Sequence, residues 1–276
     1  MQARELFEKN KNIIQKNQFE ELIMHIKKIS SKTFLYDIFL SKTEIKKFNK
    51  YLNKIKKDYP LEYITKKKYF FENDFFVNKK VLIPRPESEL LVEELLKYDL
   101  IKKIIIDICC GSGCIGISIK LKNKNADLFL SDISKQCLKV TKKNLKRFNI
   151  EAKVYKEDFL NVIFKNNLTP DFLVINPPYI EIDDKNIGTS TLKHEPSLAL
   201  FADQLGYKFY NILFADLDRL FLINKNLVII CEFGFNQKEQ LELNFEKYRV
   251  KYKIEFNKDY SGHWRYFKIT NKETYD

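Results

Sequence analysis

The residues with the clearest chemical potential are Asn176, Pro177, Pro178 and Tyr179, which follow an apolar run at residues 172–175. Proline has no backbone N–H, so the two prolines remove two donors from this loop. The carbonyl oxygens and the asparagine side-chain oxygen remain as acceptors. A residue before proline is held extended, which restricts where those acceptors point. The loop therefore suits a planar –NH2 group, because it can accept both N–H bonds and leave the nitrogen facing outward.

An isolated sequence of this kind is equally compatible with a plain proline-rich turn, and a second group of residues favours the chemical interpretation. Residues 103–109 are apolar and β-branched, as expected of a buried parallel strand. A cluster of glycines follows, and then a helical stretch to Lys122. Glycines at a strand-to-helix turn allow close backbone approach to a ligand, and the helix N-terminus supplies free N–H groups. The candidate cofactor-binding residues of this glycine loop are Cys109, Cys110, Gly111, Ser112 and Gly113.

Acidic side chains follow the next two predicted strands. Residues 126–131 form an apolar run that leads to Asp132, nineteen residues after Gly113. At that spacing, an acidic residue in an α/β nucleotide site reaches the ribose hydroxyls. The third predicted strand leads to Asp158 and Phe159, where an acid and a ring could meet an adenine.

The strand ending at Asn176 comes fourth, and ligands in open α/β sheets bind at the carboxyl ends of the strands. The order of the four strand ends favours S-adenosylmethionine over a nicotinamide cofactor. An amide nitrogen is a poor nucleophile and must be held in line, about 3–3.5 Å from the methyl carbon. Asn176 Oδ1 and the Pro177 carbonyl would accept its two N–H bonds, and Pro178 and Tyr179 complete the substrate site. Asn176, Pro177 and Tyr179 are thus the candidate catalytic residues, and Asn176 is also a candidate cofactor-binding residue. Because a sulfonium is already a strong electrophile, this chemistry predicts no metal.

Taken together, these segments resemble the release factor glutamine methyltransferases. The resemblance rests on Pro84–Glu89, the glycine loop, Asp132 and Asn176–Ile180, and extends from about residue 60 to the end of the sequence. Further matching segments are Tyr63-Ile64, Val81–Ile83, Glu195–Phe201, Glu232–Gly234 with Gln237, and Asp259–Arg265. The departures are mostly lost glycines, at Lys66, Glu72, Cys109, Ala202 and Asp203. Of these, Cys109 bears on cofactor binding, because its Cβ is expected to crowd the loop.

The resemblance implies both a reaction and an architecture. The substrate would be the glutamine of the Gly-Gly-Gln loop of peptide chain release factors, methylated at the side-chain N5, with S-adenosylhomocysteine as product. The fold would be a Rossmann-like class I S-adenosylmethionine-dependent methyltransferase, an α/β fold with a mostly parallel seven-stranded sheet and an antiparallel edge. Residues 1–66 would form a helical substrate-docking domain, 67–85 a β-hairpin linker and 86–276 the methyltransferase domain.

Sequence periodicity supports parts of this architecture independently. Residues 1–59 contain neither glycine nor proline. Apolar residues at helical spacing predict amphipathic helices around residues 19–26 and 48–55. Ser41 and Glu44 form a capping-box pattern before the second helix.

Other local signals predict the elements that surround the site. The hairpin is expected at residues 69–77 with an interruption at 73–74, followed by a strand at 81–83. Pro86 is placed as the first residue of a helix that runs through Lys97. Farther along, a continuous helix is predicted at 207–222, a strand at 227–233, a helix at 237–246 and an antiparallel edge pair at 250–256 and 264–269. Residues 183–191 are polar and predict a mobile loop beside the active site.

Two other classes of function remain open on sequence grounds. A nucleic-acid amino-methyltransferase, of the adenine N6 type, could use the same acceptor loop. The sequence contains no inserted target-recognition domain after residue 180, and Pro84–Glu89 matches the glutamine family better. A non-catalytic descendant that only binds release factor or ribosome is the other alternative, because several family glycines are lost.

Composition limits the setting of the protein more than its chemistry. The formal net charge is +12, compatible with a ribosome-facing surface or with a lysine-rich composition throughout the chain. Five cysteines without a disulfide-like framework predict a reducing, cytoplasmic location. The charged first segment does not resemble a signal peptide, and no apolar run is long enough to span a membrane. We expect a monomer with no stable nucleic-acid partner and no membrane association.

Overall fold

The structure is a computed structural model that describes residues 1–182, 184 and 188–275. The described chain forms two compact units. The first contains residues 1–67 and the described part of 187–194, and the second contains the remaining described residues. The predicted loop at residues 183–191 lies partly outside the described residues, and a helix begins at Thr189.

Both units are built from short regular elements, numbered here in chain order. The helices are α1 Ala3–Glu8, α2 Lys16–Lys27, α3 Lys42–Ile55, α4 Leu61–Thr65, α5 Glu89–Leu95, α6 Cys114–Lys122, α7 Lys135–Phe148, α8 Asn161–Lys165, α9 Thr189–His194, α10 Lys208–Ala215, α11 Leu217–Ile223, α12 Lys238–Phe245 and α13 Lys272–Tyr275. The strands are β1 Lys67–Phe70, β2 Asn73–Phe76, β3 Ile104–Ile108, β4 Asp127–Ser131, β5 Lys153–Tyr155, β6 Phe172–Ile175, β7 Val228–Glu232, β8 Tyr252–Lys258 and β9 Trp264–Asn271.

The first unit is helical and has a hydrophobic core of its own. The apolar faces of α2 and α3 meet there, with Phe19 and Phe48 fully buried and in edge-to-face contact at 5.6 Å between ring centroids. The predicted capping box of α3 is present, because Glu44 N donates to Ser41 Oγ at 3.2 Å and Ser41 N donates to Glu44 Oε2 at 2.7 Å. The sequence therefore predicted both principal helices and the start of the second.

The second unit is built on a seven-stranded sheet in the order β5-β4-β3-β6-β7-β9-β8. Strands β3 to β7 run parallel, whereas β9 pairs antiparallel with both β7 and β8. The mostly parallel sheet with an antiparallel edge is confirmed. Helices lie between successive parallel strands, as the crossover connections of such a sheet require.

The strand order places two of the predicted loops side by side. The chain runs outward from β3 through β4 to β5 and then returns to place β6 on the other side of β3. Ile108 at the end of β3 pairs with Ile175 at the end of β6. The glycine loop and the acceptor loop therefore leave the sheet next to each other. This reversal of strand order is the position at which open α/β sheets bind ligands.

The hairpin is present, but the predicted position of its turn, at residues 73–74, was wrong. The turn falls at Phe71 and Glu72, whose φ angles are +42° and +65°, and β2 begins at Asn73. Two successive left-handed residues form a tight hairpin turn, normally with glycine or asparagine. Here Glu89 Oε1 accepts from Phe71 N at 3.0 Å, and Asn73 Nδ2 donates to Phe71 O at 2.9 Å. These contacts stabilise a turn that the residue types alone do not indicate.

Three other predicted elements differ in detail. Residues 81–83 do not form a strand, although Val81 and Ile83 are buried. The segment at Pro86 begins as a 3-10 turn and continues as α5, which ends at Leu95. The helix predicted at 207–222 is divided at Asp216, whose ψ of 5° lies outside the helical range.

Candidate active site

A cavity lies at the carboxyl ends of β3, β4, β5 and β6 in the second unit. It brings together side chains that are distant in the sequence. The predicted site residues that line it are Cys109, Cys110, Gly111, Ser112, Asp132, Asp158, Phe159, Asn176 and Pro178. The predicted residues Gly113, Pro177 and Tyr179 are not among the residues that line it.

The glycine loop is held in a left-handed backbone path. Cys109, Gly111 and Gly113 have φ angles of +59°, +54° and +78°. At Gly113, a Cβ would also lie only 3.0 Å from the side chains of Ile117 and Thr141, so glycine is required for space as well as conformation. The loop leads directly into the N-terminus of α6, where the first N–H groups of a helix have no partner within the helix.

Helix α7 holds the glycine loop from the side. Thr141 Oγ1 donates to Gly111 O at 2.8 Å, and Asn144 Nδ2 donates to Ser112 O at 2.9 Å. Both side chains are fully buried. The backbone of the loop is thus fixed before any ligand binds.

Asp132 is positioned to bind two adjacent hydroxyl groups. Its Oδ2 accepts from Gly111 N at 3.0 Å, and its Oδ1 accepts from Ser134 N at 2.8 Å. Each oxygen retains acceptor capacity, since a carboxylate has about four lone-pair sites. Burial raises the pKa of Asp132, and the two backbone N–H bonds act in the opposite direction. These residues fit the ribose of S-adenosylmethionine.

One part of the cavity is a slot lined by aromatic side chains. Phe159 has a φ of +43° and packs against Phe209 at 5.1 Å between ring centroids. The guanidinium of Arg219 lies 3.4 Å from the ring centroid of Phe164. Flat aromatic surfaces of this kind suit a planar base. The sequence indicated Phe159, but Phe164, Phe209 and Arg219 reach the slot from helices that carried no signal for it.

The cysteines of the glycine loop lie in an environment that disfavours the thiolate form. Burial raises the pKa of the Cys109 and Cys110 thiols well above the ordinary value, so both stay protonated. Among the described residues, no group of three or more His, Cys, Asp or Glu side chains is arranged to hold a metal ion. The expectation of metal-free chemistry stays a prediction.

The side chain of Asn176 is anchored by two buried residues. Its Nδ2 donates to Ser88 Oγ and to Glu232 Oε2, both at 3.0 Å. Ser88 Oγ donates in turn to Glu232 Oε2 at 2.6 Å. An ionised carboxylate accepts but does not donate, and the amide presents its –NH2 group to Glu232. Asn176 Oδ1 is left as the acceptor available to the cavity.

Glu232 also holds the other end of the acceptor loop. The hydroxyl of Tyr179 donates to Glu232 Oε1 at 3.3 Å, so Tyr179 is fixed behind the loop. Glu232 is only 1% exposed, and burial raises its pKa to about 7. Hydrogen bonding from Ser88 and the charge of Arg265 act against that rise. Three donors therefore converge on one buried carboxyl group.

Sequence reasoning missed the functional importance of Ser88 and Glu232. Both lie in segments that match the family, but they are 88 and 56 residues from Asn176. Only the strand order brings β7, which ends at Glu232, beside β6. The signal that could have found Glu232 was an acidic residue at the end of an otherwise apolar strand.

An ion pair fastens the segment that precedes α5. Arg85, which lines the cavity, pairs with Glu195 at 2.5 Å, and Ile83 N donates to the second oxygen of Glu195 at 3.0 Å. Glu195 is buried, so this is a charge-assisted contact in a largely dry environment. The pair holds residues 83–85 against residue 195 at the cavity wall.

Comparisons with known proteins show which family this chain resembles. Residues 84–195 match the family model described as methyltransferase small domain. The chain is 45% identical to the release factor glutamine methyltransferase of Mycoplasma mycoides, covering 84% of this chain and 83% of that protein. It is 32% identical to the release factor glutamine methyltransferase of Dictyoglomus turgidum, covering 90% and 89% of the two chains.

Solved structures show the same fold at lower similarity. A methyltransferase from Pyrococcus furiosus superposes with a TM-score of 0.52 at 16% identity, over 72% of this chain and 88% of that one. A ribosomal protein L11 methylase from Lactobacillus delbrueckii subsp. bulgaricus gives 0.51 at 15% identity, over 71% and 84%.

The sheet order, the glycine loop and the acidic residue after β4 define a class I S-adenosylmethionine-dependent methyltransferase. Within that class, the similarity over most of both chains is specific. The chain belongs to the release factor glutamine methyltransferase family.

Proposed function

We propose that this protein transfers a methyl group from S-adenosylmethionine to the side-chain N5 of the glutamine in the Gly-Gly-Gln loop of peptide chain release factors, modulating translation termination. The observation that supports this most directly is the anchored amide of Asn176. Because Asn176 Nδ2 donates toward Ser88 and Glu232, its Oδ1 is left to accept from a substrate –NH2. Family membership supports the class of reaction. The hydrogen bonds of the site support the orientation of the Asn176 amide.

The acceptor loop then orients the substrate nitrogen. Asn176 Oδ1 and the Pro177 carbonyl each accept one N–H of the glutamine amide, while Pro178 contributes an apolar surface to the cavity. Two acceptors fix the nitrogen and direct its electron density toward the methyl carbon. The same acceptors stabilise the positive charge that develops on nitrogen, and they need no reorganisation. No strong general base is required, because the nitrogen becomes acidic only as the new bond forms.

The cofactor is assigned to the opposite side of the cavity. Asp132 would bind the ribose hydroxyls, Asp158 and Phe159 would flank the adenine, and the backbone of Gly111 would face the amino-acid part. Bound S-adenosylmethionine supplies an electrophilic methyl group on a sulfonium. The remaining residues assigned to cofactor binding are Cys109, Cys110, Ser112 and Gly113.

The first unit is assigned to substrate docking. It has its own hydrophobic core, so it can present a surface without taking part in the chemistry. Deletion of residues 1–60 should greatly reduce methylation of intact release factor while S-adenosylmethionine still binds to the remainder. Added salt should weaken a basic docking surface, since exposed charges are screened over about 8–10 Å. Normal methylation by the deleted protein would remove this role.

The setting follows the same proposal. We place the protein in the cytoplasm as a monomer that works near the ribosome, with no metal and no stable nucleic-acid partner. Among the described residues, no helix is long and apolar enough to cross a membrane.

The decisive experiment is mass spectrometry of purified release factor after incubation with this protein and S-adenosylmethionine. We expect a gain of one methyl group on the glutamine of the Gly-Gly-Gln loop. The matched substrate control is the Gln→Glu release factor, which offers neither an N–H donor nor a nucleophilic nitrogen. Labelling of that variant, or faster methylation of duplex DNA, would replace this assignment with the adenine alternative. Failure to bind cofactor would favour a non-catalytic binding protein.

A further inference from the structure

Glu232 does not face the cavity, yet it contacts two of the residues that shape the acceptor loop. It lies at the end of β7, next to β6, and its two oxygens are divided between those contacts. Oε2 accepts from Asn176 and Ser88, whereas Oε1 accepts from Tyr179. We propose that Glu232 is a positioning residue that locks the Asn176 amide with its oxygen toward the substrate, an inference that rests on the proposed function.

The physical basis is the asymmetry of an amide. The two ends of an asparagine side chain have nearly the same shape, so packing alone does not select which end faces the cavity. If the amide rotated by half a turn, its –NH2 would face the substrate –NH2 and its oxygen would face the carboxylate of Glu232. Two donors would then oppose each other on one side and two acceptors on the other. When Glu232 is ionised, the productive orientation keeps a donor opposite an acceptor on both sides of the amide, and the rotated one does not.

The serine between them strengthens the same selection. Ser88 Oγ uses its one hydrogen to donate to Glu232 at 2.6 Å, which leaves only its acceptor capacity for Asn176. Without the carboxylate, the hydroxyl would be free to rotate and to donate to an asparagine oxygen. The orientation of Asn176 thus depends on Glu232 twice, once directly and once through Ser88. Two further charges affect the pKa of Glu232: that of Arg265 lowers it, and that of Glu87 raises it.

Two substitutions of Glu232, similar in size, separate its role in orienting the Asn176 amide from the effect of its negative charge. Glu232→Leu removes both acceptor oxygens, and we expect kcat on release factor to fall by roughly 10²-fold, as for loss of one preorganised polar group. Glu232→Gln keeps one oxygen that can face Asn176, with its –NH2 toward the Tyr179 hydroxyl, which can accept. We therefore expect the glutamine variant to retain activity within about tenfold of the wild type.

The control for burying an apolar side chain is Glu94→Leu. Glu94 is also a buried carboxylate in the second unit, but it contacts Lys97, Tyr266 and Lys268 rather than the acceptor loop. We expect its kcat to stay within about threefold of the wild type at a temperature where all variants are folded. S-adenosylmethionine binding by calorimetry, unchanged within about threefold, confirms that each variant keeps its cavity.

A double-mutant cycle shows whether Glu232 acts through Asn176. If it does, adding Glu232→Leu to Asn176→Ala should slow the reaction by no more than about twofold, because the alanine variant has no side-chain amide for Glu232 to orient. Losses that multiply would overturn the proposal, as would a kcat for Glu232→Leu within threefold of the wild type.

One readout needs no substrate and separates this proposal from the assignment of release factor. Hydrogen exchange of the Asn176 side-chain –NH2 can be followed by NMR on nitrogen-15-labelled protein, with Asn176→Ala identifying the resonance. We expect protection in the wild type and faster exchange in Glu232→Leu. If Glu232→Leu does not fold, Ser88→Ala decides: it should accelerate the same exchange and lower kcat without weakening cofactor binding. Unchanged exchange in the folded variants overturns the role of Glu232, even where release factor is methylated normally.

Discussion

The glycine loop and the acceptor loop leave neighbouring strands, but they are shaped by different physical means. In the glycine loop, the backbone itself adopts left-handed conformations at positions 109, 111 and 113, and the loop lines the cavity together with Asp132. In the acceptor loop, two prolines restrict the backbone, and side chains from distant elements orient Asn176. Backbone conformation therefore distinguishes the glycine loop, which α7 also holds, whereas side chains from distant elements orient the acceptor of the other loop.

The comparison predicts that damage to each loop affects a different step. The largest effect is expected for Asn176→Ala, which removes the oxygen that accepts from the substrate. By analogy with loss of one preorganised polar group, kcat should fall on the order of 10²–10³-fold. S-adenosylmethionine affinity should be nearly intact, because the glycine loop and Asp132 are untouched. Steady-state kinetics with calorimetry tests this, and activity within threefold of the wild type would remove Asn176 from the mechanism.

A smaller effect, on cofactor affinity, is expected for Asp132→Ala. A carboxylate bonded to ribose hydroxyls makes charge-assisted hydrogen bonds, each contributing roughly 1.5–3 kcal/mol. The dissociation constant for S-adenosylmethionine should rise about tenfold or more. Asp132 also accepts from Gly111 N, so part of the loss would come from a looser loop. Calorimetry that shows unchanged affinity would place the ribose ligand elsewhere.

The smallest effect is expected for Cys109→Gly, which restores the glycine of the family. A left-handed conformation costs a residue with a Cβ roughly 1–2 kcal/mol, and glycine avoids that strain. The added freedom of glycine in the unfolded chain offsets about 0.4–1 kcal/mol of this gain. The free energy of unfolding should therefore be unchanged or up to about 1.6 kcal/mol higher, with cofactor binding unchanged or tighter.

Lys102→Gly is the matched control for that substitution. Lys102 has a φ of +56° but lies before β3, at the opposite end of the strand from the cavity. It should share the effect of Cys109→Gly on unfolding, measured with urea, and leave S-adenosylmethionine affinity unchanged. A marked loss of affinity in Cys109→Gly alone would show that the cysteine contributes to binding.

The hairpin shows why some local structure escaped prediction. Asn73 and Asp74 are typical turn residues, but both lie in β2, and the turn is made by Phe71 and Glu72. Glu89 Oε1 accepts from the backbone N–H of Phe71 and supports this turn. That acceptor is 18 residues away, so no local pattern could reveal it. The division of the predicted helix at Asp216 was likewise not predictable from local sequence, because residues 207–222 contain neither glycine nor proline.

By itself, the sequence determined the class of fold and the identity of the two loops. The apolar strand at 172–175, the glycines after β3 and the acid at Asp132 carry that information because short-range periodicity and turn chemistry are properties of neighbouring residues. The orientation of Asn176 was decided only by the tertiary structure. The Asn176 side chain is oriented by hydrogen bonds to Ser88 and Glu232, which are distant in the sequence. The contact with Glu232 forms because β6 and β7 pair, and no pattern of neighbouring residues specifies that pairing.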